Sequence, residues 1–143
     1  MKFSKLLIGI LFSASSISSF AQYPDKAITA IVPFPPGGPT DIVARPLAAL
    51  LGDRLKEQVV VDNKGGAGGS IGADLVAKSA PDGYTLLLGQ TGEIVVNRLF
   101  MKDLGYDPLK ELVPVVLIGN APLVMLVPVE APYNNLAEFM AAA

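Results

Sequence analysis

The chain reads as an α/β protein with a parallel-rich sheet flanked by helices. Three observations predict that class: short β-branched or apolar runs bounded by turn residues, helix-spaced segments between the runs, and a glycine-rich loop after each of the first three. Alternation of this kind implies β-α-β units, which favour parallel strands joined by right-handed crossovers.

The first run, Ile28 to Val32, is expected to be a buried strand. It leads into Pro33-Phe34-Pro35-Pro36-Gly37-Gly38-Pro39-Thr40-Asp41, a stiff turn and helix start. Prolines fix φ and withhold donors, the glycine pair permits backbone angles closed to side chains, and Thr40 or Asp41 can cap the helix that follows. Bare amides at such a helix start, with the positive end of the helix dipole, suit a carboxylate or phosphate; the same residues also serve a tight connection without a ligand. In the helix, Val43, Leu47, Leu51 and Leu55 recur at four-residue steps and Leu50 widens the stripe. Pro46 predicts a late start or a kink, because an interior proline costs about 3 kcal/mol or more.

The second strand is expected over Gln58 to Asp62, followed by the glycine cluster Gly65 to Gly72 and a helix from Ser70 to about Ser79 that packs Ile71, Leu75 and Val76. Pro81-Asp82-Gly83 then turns the chain into a third strand, Tyr84 to Leu88, with Gly89-Gln90-Thr91-Gly92 after it. Asp107-Pro108 and Leu109-Lys110-Glu111 read as a turn with solvated charges, and Leu112 to Ile118 and Leu123 to Val127 as two more strands. Asn134 or Asn135 caps a last helix from Leu136 to Ala143. Parallel sheets collect ligands at the carboxyl ends of their strands, so one rim carries all three donor-rich loops. Phe34 and Tyr84 flank those loops and either wall a small ligand or pack in the core.

Residues 1–21 have the pattern of an export signal: Lys2 and Lys5, an apolar run from Leu6 to Phe12, and Ser19-Phe20-Ala21 as a small-x-small cleavage site. A seven-residue apolar run falls short of the roughly 20 that cross a bilayer as a helix, so no membrane insertion is expected after signal removal. The chain has no cysteine, which excludes disulfides and thiol-linked lipid and suits a periplasmic, exported protein. Residues 22–143 retain nine basic and thirteen acidic residues, a net charge of −4, with the basic ones scattered; no nucleic-acid partner is expected.

Gly68-Gly69-Ser70-Ile71-Gly72 matches the G-x-S-x-G pattern of a hydrolase nucleophile. The serine lies eight residues beyond Asp62 rather than on a sharp strand-to-helix turn, and the chain has no histidine to serve as base. No register of the glycine cluster gives G-x-G-x-x-G, and the phosphate-loop pattern is absent, so no nucleotide cofactor is expected. Without histidine or cysteine, and with dispersed acids, no metal site is expected either.

Together, the export signal, Pro33 to Asp41, Asp62-Asn63 with Gly65 to Gly72, and Ala80-Pro81-Asp82-Gly83-Tyr84-Thr85-Leu86-Leu87 resemble the Bug family of periplasmic solute receptors for tripartite tricarboxylate transporters. Thr91, Asn97, Tyr106-Asp107-Pro108 and Leu136-Ala137-Glu138-Phe139 extend the resemblance over nearly all of residues 23–140. It implies a two-lobed (type II) periplasmic binding protein that closes on a small carboxylate, docks on membrane permease subunits and performs no chemistry. It places ligand contacts at Phe34, Gly37, Gly38, Thr40 and Asp41 in the first loop, Ser70 at the second helix start and Thr91 in the third loop; Asp41 suits a helix cap or an amine better than a carboxylate. Pro39 removes one amide that a smaller residue would offer. Family members are about twice as long, so the resemblance further implies that residues 22–143 form an incomplete first lobe, truncated before the second. The competing readings are a serine hydrolase using Ser70 and a fragment with no biochemical role of its own.

Overall fold

The computed structural model describes residues 23–142, so the expected export signal lies outside the described residues. The chain divides into two compact units, one ending at Val113 and the other running from Pro114.

In the first unit, β1 (Ile28–Val32), α1 (Pro39–Leu55), β2 (Val59–Asn63), α2 (Ser70–Ala77) and β3 (Thr85–Leu87) make two successive β-α-β units. The sheet has the order β2-β1-β3 with both pairings parallel. Ile28 lies opposite Val59 and Val32 opposite Asn63, while Thr29 lies opposite Thr85 and Ile31 opposite Leu87. The first crossover steps to one side of β1 and the second returns past it, so the right-handed rule sets α1 and α2 on opposite faces. Accordingly Ile28, Ala30, Ile31 and Val32 are all buried, each large one contributing about 1.5–3 kcal/mol of apolar burial.

Both helices meet the sheet through small residues, which corrects the expected packing stripes. On α1 the buried positions are Asp41, Ala44 and Ala48, whereas Val43 and Leu50 are exposed and Leu47, Leu51 and Leu55 half-buried. On α2 they are Ser70, Gly72 and Ala73, with Ile71 and Leu75 exposed and Val76 half-buried. A methyl group on Gly72 would lie 2.9 Å from the Lys64 carbonyl oxygen and 3.0 Å from Pro33 Cα, so α2 rides directly on backbone. The helix start also differs: Gly38 is the N-cap and Pro39 occupies the first helical position, where its missing N–H costs nothing. Thr40 and Asp41 are therefore inside the first turn rather than at the cap. α1 continues through Pro46, which withholds the bond due to the Ile42 carbonyl; both residues are exposed, and water can take that bond instead.

After β3 the chain forms a helical stretch that the sequence reading did not anticipate, π-type over Gly92–Val96 and continuing as α3 (Asn97–Phe100). Asp107 accepts a hydrogen bond from the Leu109 amide at 3.1 Å and so caps α4 (Pro108–Glu111), a single turn in place of the expected lead into a strand.

The expected strands at Leu112 to Ile118 and Leu123 to Val127 do not form. A strand is defined by its ladder, and among the described residues none pairs with either segment, so both remain irregular with their apolar side chains largely exposed. In the second unit α5 (Leu136–Ala142) is capped as the sequence suggests: Asn135 Oδ1 accepts from the Glu138 amide at 3.0 Å, while Glu138 reaches back to the Asn134 amide at 2.7 Å.

Candidate functional site at the carboxyl ends of the strands

The order β2-β1-β3 places a topological switch point between β1 and β3, and it is at such points that parallel α/β sheets form their ligand crevices. The loops after β1 and β3 face each other across it, and the loop after β2 adjoins the first. Gln90, directly after the third strand, spans the crevice: its Nε2 donates to Thr40 Oγ1 at the start of α1.

The first loop is organised by Asp41. Its Oδ2 accepts from the Gly37 amide at 2.9 Å and Arg45 Nε at 2.8 Å; its Oδ1 accepts from Arg45 Nη2 and Asn63 Nδ2, both at 2.9 Å. Asn63 Nδ2 also donates to the Phe34 carbonyl at 3.0 Å, tying the end of β2 to the same loop. The Arg45 guanidinium and these donors hold the Asp41 carboxyl down to a pKa of about 2. Asp41 is 3 % exposed and both its oxygens are engaged in holding the loop. The loop's glycine amides are also spent, since Gly38 donates to the Pro35 carbonyl at 3.3 Å. This corrects the expectation of bare amides at Gly37 and Gly38; what the first loop exposes is the Thr40 hydroxyl and the half-buried Phe34 ring.

The second loop holds a run of positive φ: +130° at Gly66, +48° at Ala67, +60° at Gly68 and +90° at Gly69. Only Ala67 carries a side chain in that left-handed run. The Ser70 hydroxyl that follows is 6 % exposed, accepts from Asn97 Nδ2 at 2.8 Å and donates to Met101 Sδ at 3.6 Å. Asn97 also donates to the Gly68 carbonyl at 3.0 Å. Ser70 thus anchors the second loop to α3, with its oxygen committed on both sides and no basic side chain hydrogen-bonded to it.

The third loop is held from beneath by Glu93. Its Oε1 accepts from the Gln90 amide at 2.5 Å. Glu93 is fully buried, its Oε2 has no partner, and a methyl group on Gly69 would lie 3.0 Å from that oxygen. Burial pushes its carboxyl above the ordinary carboxylate range. Tyr106 closes the underside by donating to the Glu93 carbonyl at 2.6 Å.

Of the residues expected at the site, Gly37 and Thr91 are exposed at the rim, Phe34, Gly38 and Thr40 are half-buried beside it, and Asp41 and Ser70 are buried. Tyr84 is not at this rim. It precedes β3 and lies at the amino end of the sheet, where its hydroxyl donates to Asp25 at 2.5 Å and Lys26 Nζ sits 4.2 Å from its ring centroid. Gln90, Glu93 and Asn97 complete the site, and no sequence motif marks them: Thr91 is the N-cap of the helical stretch, and Gln90 is not a capping residue. The arrangement offers hydroxyl and amide hydrogen-bonding groups suited to holding a polar ligand.

Residues 43–143 match the tripartite tricarboxylate transporter family receptor. Protein BugT of Bordetella pertussis is 47 % identical over 132 residues, a match covering 88 % of this chain and 40 % of BugT. Among solved structures, the periplasmic binding protein BugD superposes with a TM-score of 0.60 at 47 % identity, over 62 % of this chain and 29 % of that one. MatC from Rhodopseudomonas palustris with bound malate gives a TM-score of 0.59 at 39 % identity, over 62 % of this chain and 30 % of MatC. The chain spans about two fifths of the length of the curated relatives it matches.

Proposed function

The chain belongs to the tripartite tricarboxylate transporter receptor family, with the first-lobe fold of a periplasmic binding protein, and from that premise we propose that its rim forms one wall of a receptor site for a small carboxylate. The observation that carries the reading is the switch point between β1 and β3. Parallel α/β sheets bind ligands at such a point, and here it is flanked by the exposed Gln90 and Thr91 and the half-buried Thr40, which offer hydroxyl and carboxamide groups. MatC, solved with bound malate, supports the ligand class. The site captures and releases its ligand unchanged, in the periplasm, and hands it to the permease subunits of a tripartite tricarboxylate transporter. A hydrolase using Ser70 finds no support in a buried hydroxyl shared between Asn97 and Met101.

The test is a thermal-shift and calorimetric titration of the chain with malate, succinate, citrate and glutamate. A ligand at 100 times its dissociation constant adds roughly 2.7 kcal/mol to a folded state that alone binds it. One acid of the panel should raise the transition saturably. A cooperative transition that no acid moves would remove the receptor reading for this chain.

A further inference from the structure

Gln90 is fixed at both ends. Its backbone amide is pinned by the buried Glu93 carboxyl, and its side-chain Nε2 reaches across the crevice to Thr40 Oγ1. The side chain is exposed, so apolar burial does not explain its position.

What it does to Thr40 follows from hydroxyl chemistry. A threonine hydroxyl offers one proton and two acceptor positions. Gln90 occupies an acceptor position, and among the described residues Thr40 Oγ1 donates to no protein group. The proton is therefore left for whatever enters the crevice. Of the neighbouring loop donors, the Gly37 amide is taken by Asp41 and the Gly38 amide by the Pro35 carbonyl, while Pro39 has none.

We propose that Gln90 is a specificity-determining positioning residue, which by occupying one of Thr40's two acceptor positions turns the hydroxyl proton toward the ligand, so that the site favours a carboxylate oxygen over an ammonium or amide N–H. This rests on the receptor reading above and adds the polarity of one contact to it. Gln90 acts through Thr40 and need not touch the ligand.

A double-mutant cycle separates this role from simple stapling of two loops. Malate affinity is measured by calorimetry for the wild type, Gln90→Leu, Thr40→Val and the double variant, with the unliganded thermal transition of each as a folding check. Gln90→Leu should lose about tenfold in affinity, near 1.4 kcal/mol, and Thr40→Val at least as much. The double variant should match Thr40→Val alone, because Gln90 has nothing left to orient. Losses that multiply, or a Gln90→Leu variant that binds like the wild type, overturn the role of Gln90 while leaving the receptor intact. A wild type that binds no acid of the panel overturns the receptor reading beneath it.

Discussion

Arg45 grips Asp41 with two parallel hydrogen bonds, Nε to Oδ2 at 2.8 Å and Nη2 to Oδ1 at 2.9 Å, one helical turn apart on α1. The fork matters because the carboxylate it steadies also holds the first loop and the end of β2. Lysine cannot reproduce a bidentate fork. Arg45→Lys should therefore loosen the first loop more than its retained charge suggests, read as faster hydrogen exchange at the Gly37 amide with little change at β1.

The same pair contributes to stability in acid, beside Asp82 and Asp107, whose carboxyls are also held below the ordinary range. A carboxyl whose folded pKa lies below its unfolded value stabilises the fold above the unfolded value and loses that contribution as pH falls through the folded one. For Asp41 the window runs from the ordinary carboxyl value of 3.8 down to about 2. Thermal midpoints should drop across that range in the wild type. Asp41→Asn should start lower at pH 7 and show a flatter acid limb; parallel limbs would mean that other carboxylates govern acid unfolding.

Glu93 predicts the opposite limb. Its folded pKa is raised by burial, so its contribution is complete below the ordinary value of 4.5 and is lost as pH rises through the shifted one. Its contacts, the Gln90 amide and Tyr106, supply no compensating positive charge. Glu93→Gln keeps an acceptor for the Gln90 amide and cannot ionise. Its thermal midpoint should exceed the wild type's at pH 8 and converge with it near pH 4, and a gap independent of pH would refute the charge argument.

How far the sequence discloses this fold depends on which residues do the packing. β1 is legible to the residue because Ile28 to Val32 is apolar, β-branched and flanked by turn residues. The α1 stripe is not. The eye follows Val43, Leu47 and Leu51, but the helix approaches the sheet closely enough that only Ala44 and Ala48 fit beneath it, and small residues weigh little in a hydrophobic pattern. The strands expected after Leu112 fail differently, since propensity can nominate a strand and only a neighbour can make one. At the site, loop positions are visible in the glycines, whereas the spending of their amides on Asp41 and Glu93 depends on contacts that no spacing rule encodes.

Ala67 stores strain that a single substitution can release. Its φ of +48° sits in a left-handed run otherwise made by glycine. That conformation costs an L-residue about 1–2 kcal/mol, and glycine gives back about 0.5–1 kcal/mol through the entropy of the unfolded chain. Ala67→Gly should stabilise by about 0.5 kcal/mol, visible as a higher urea midpoint at unchanged slope.

Gly72 gives the contrary case. As a residue within α2, replacing it with alanine should add up to about 1 kcal/mol of helix propensity. The added methyl would lie 2.9 Å from the Lys64 carbonyl oxygen, 2.9 Å from Pro33 Cβ and 3.0 Å from Pro33 Cα. None of these is the far end of a flexible side chain, so the helix itself must shift off β1, and overpacking of this kind costs about 1–3 kcal/mol. Overpacking should win, because the contact falls where α2 crosses the central strand and the displacement would carry Ser70 and its bond to Asn97 with it. Gly72→Ala should lower the urea midpoint and accelerate exchange in the second loop. A variant more stable than the wild type would mean that α2 can lift from the sheet freely, and that the close approach at Pro33 is incidental to the site.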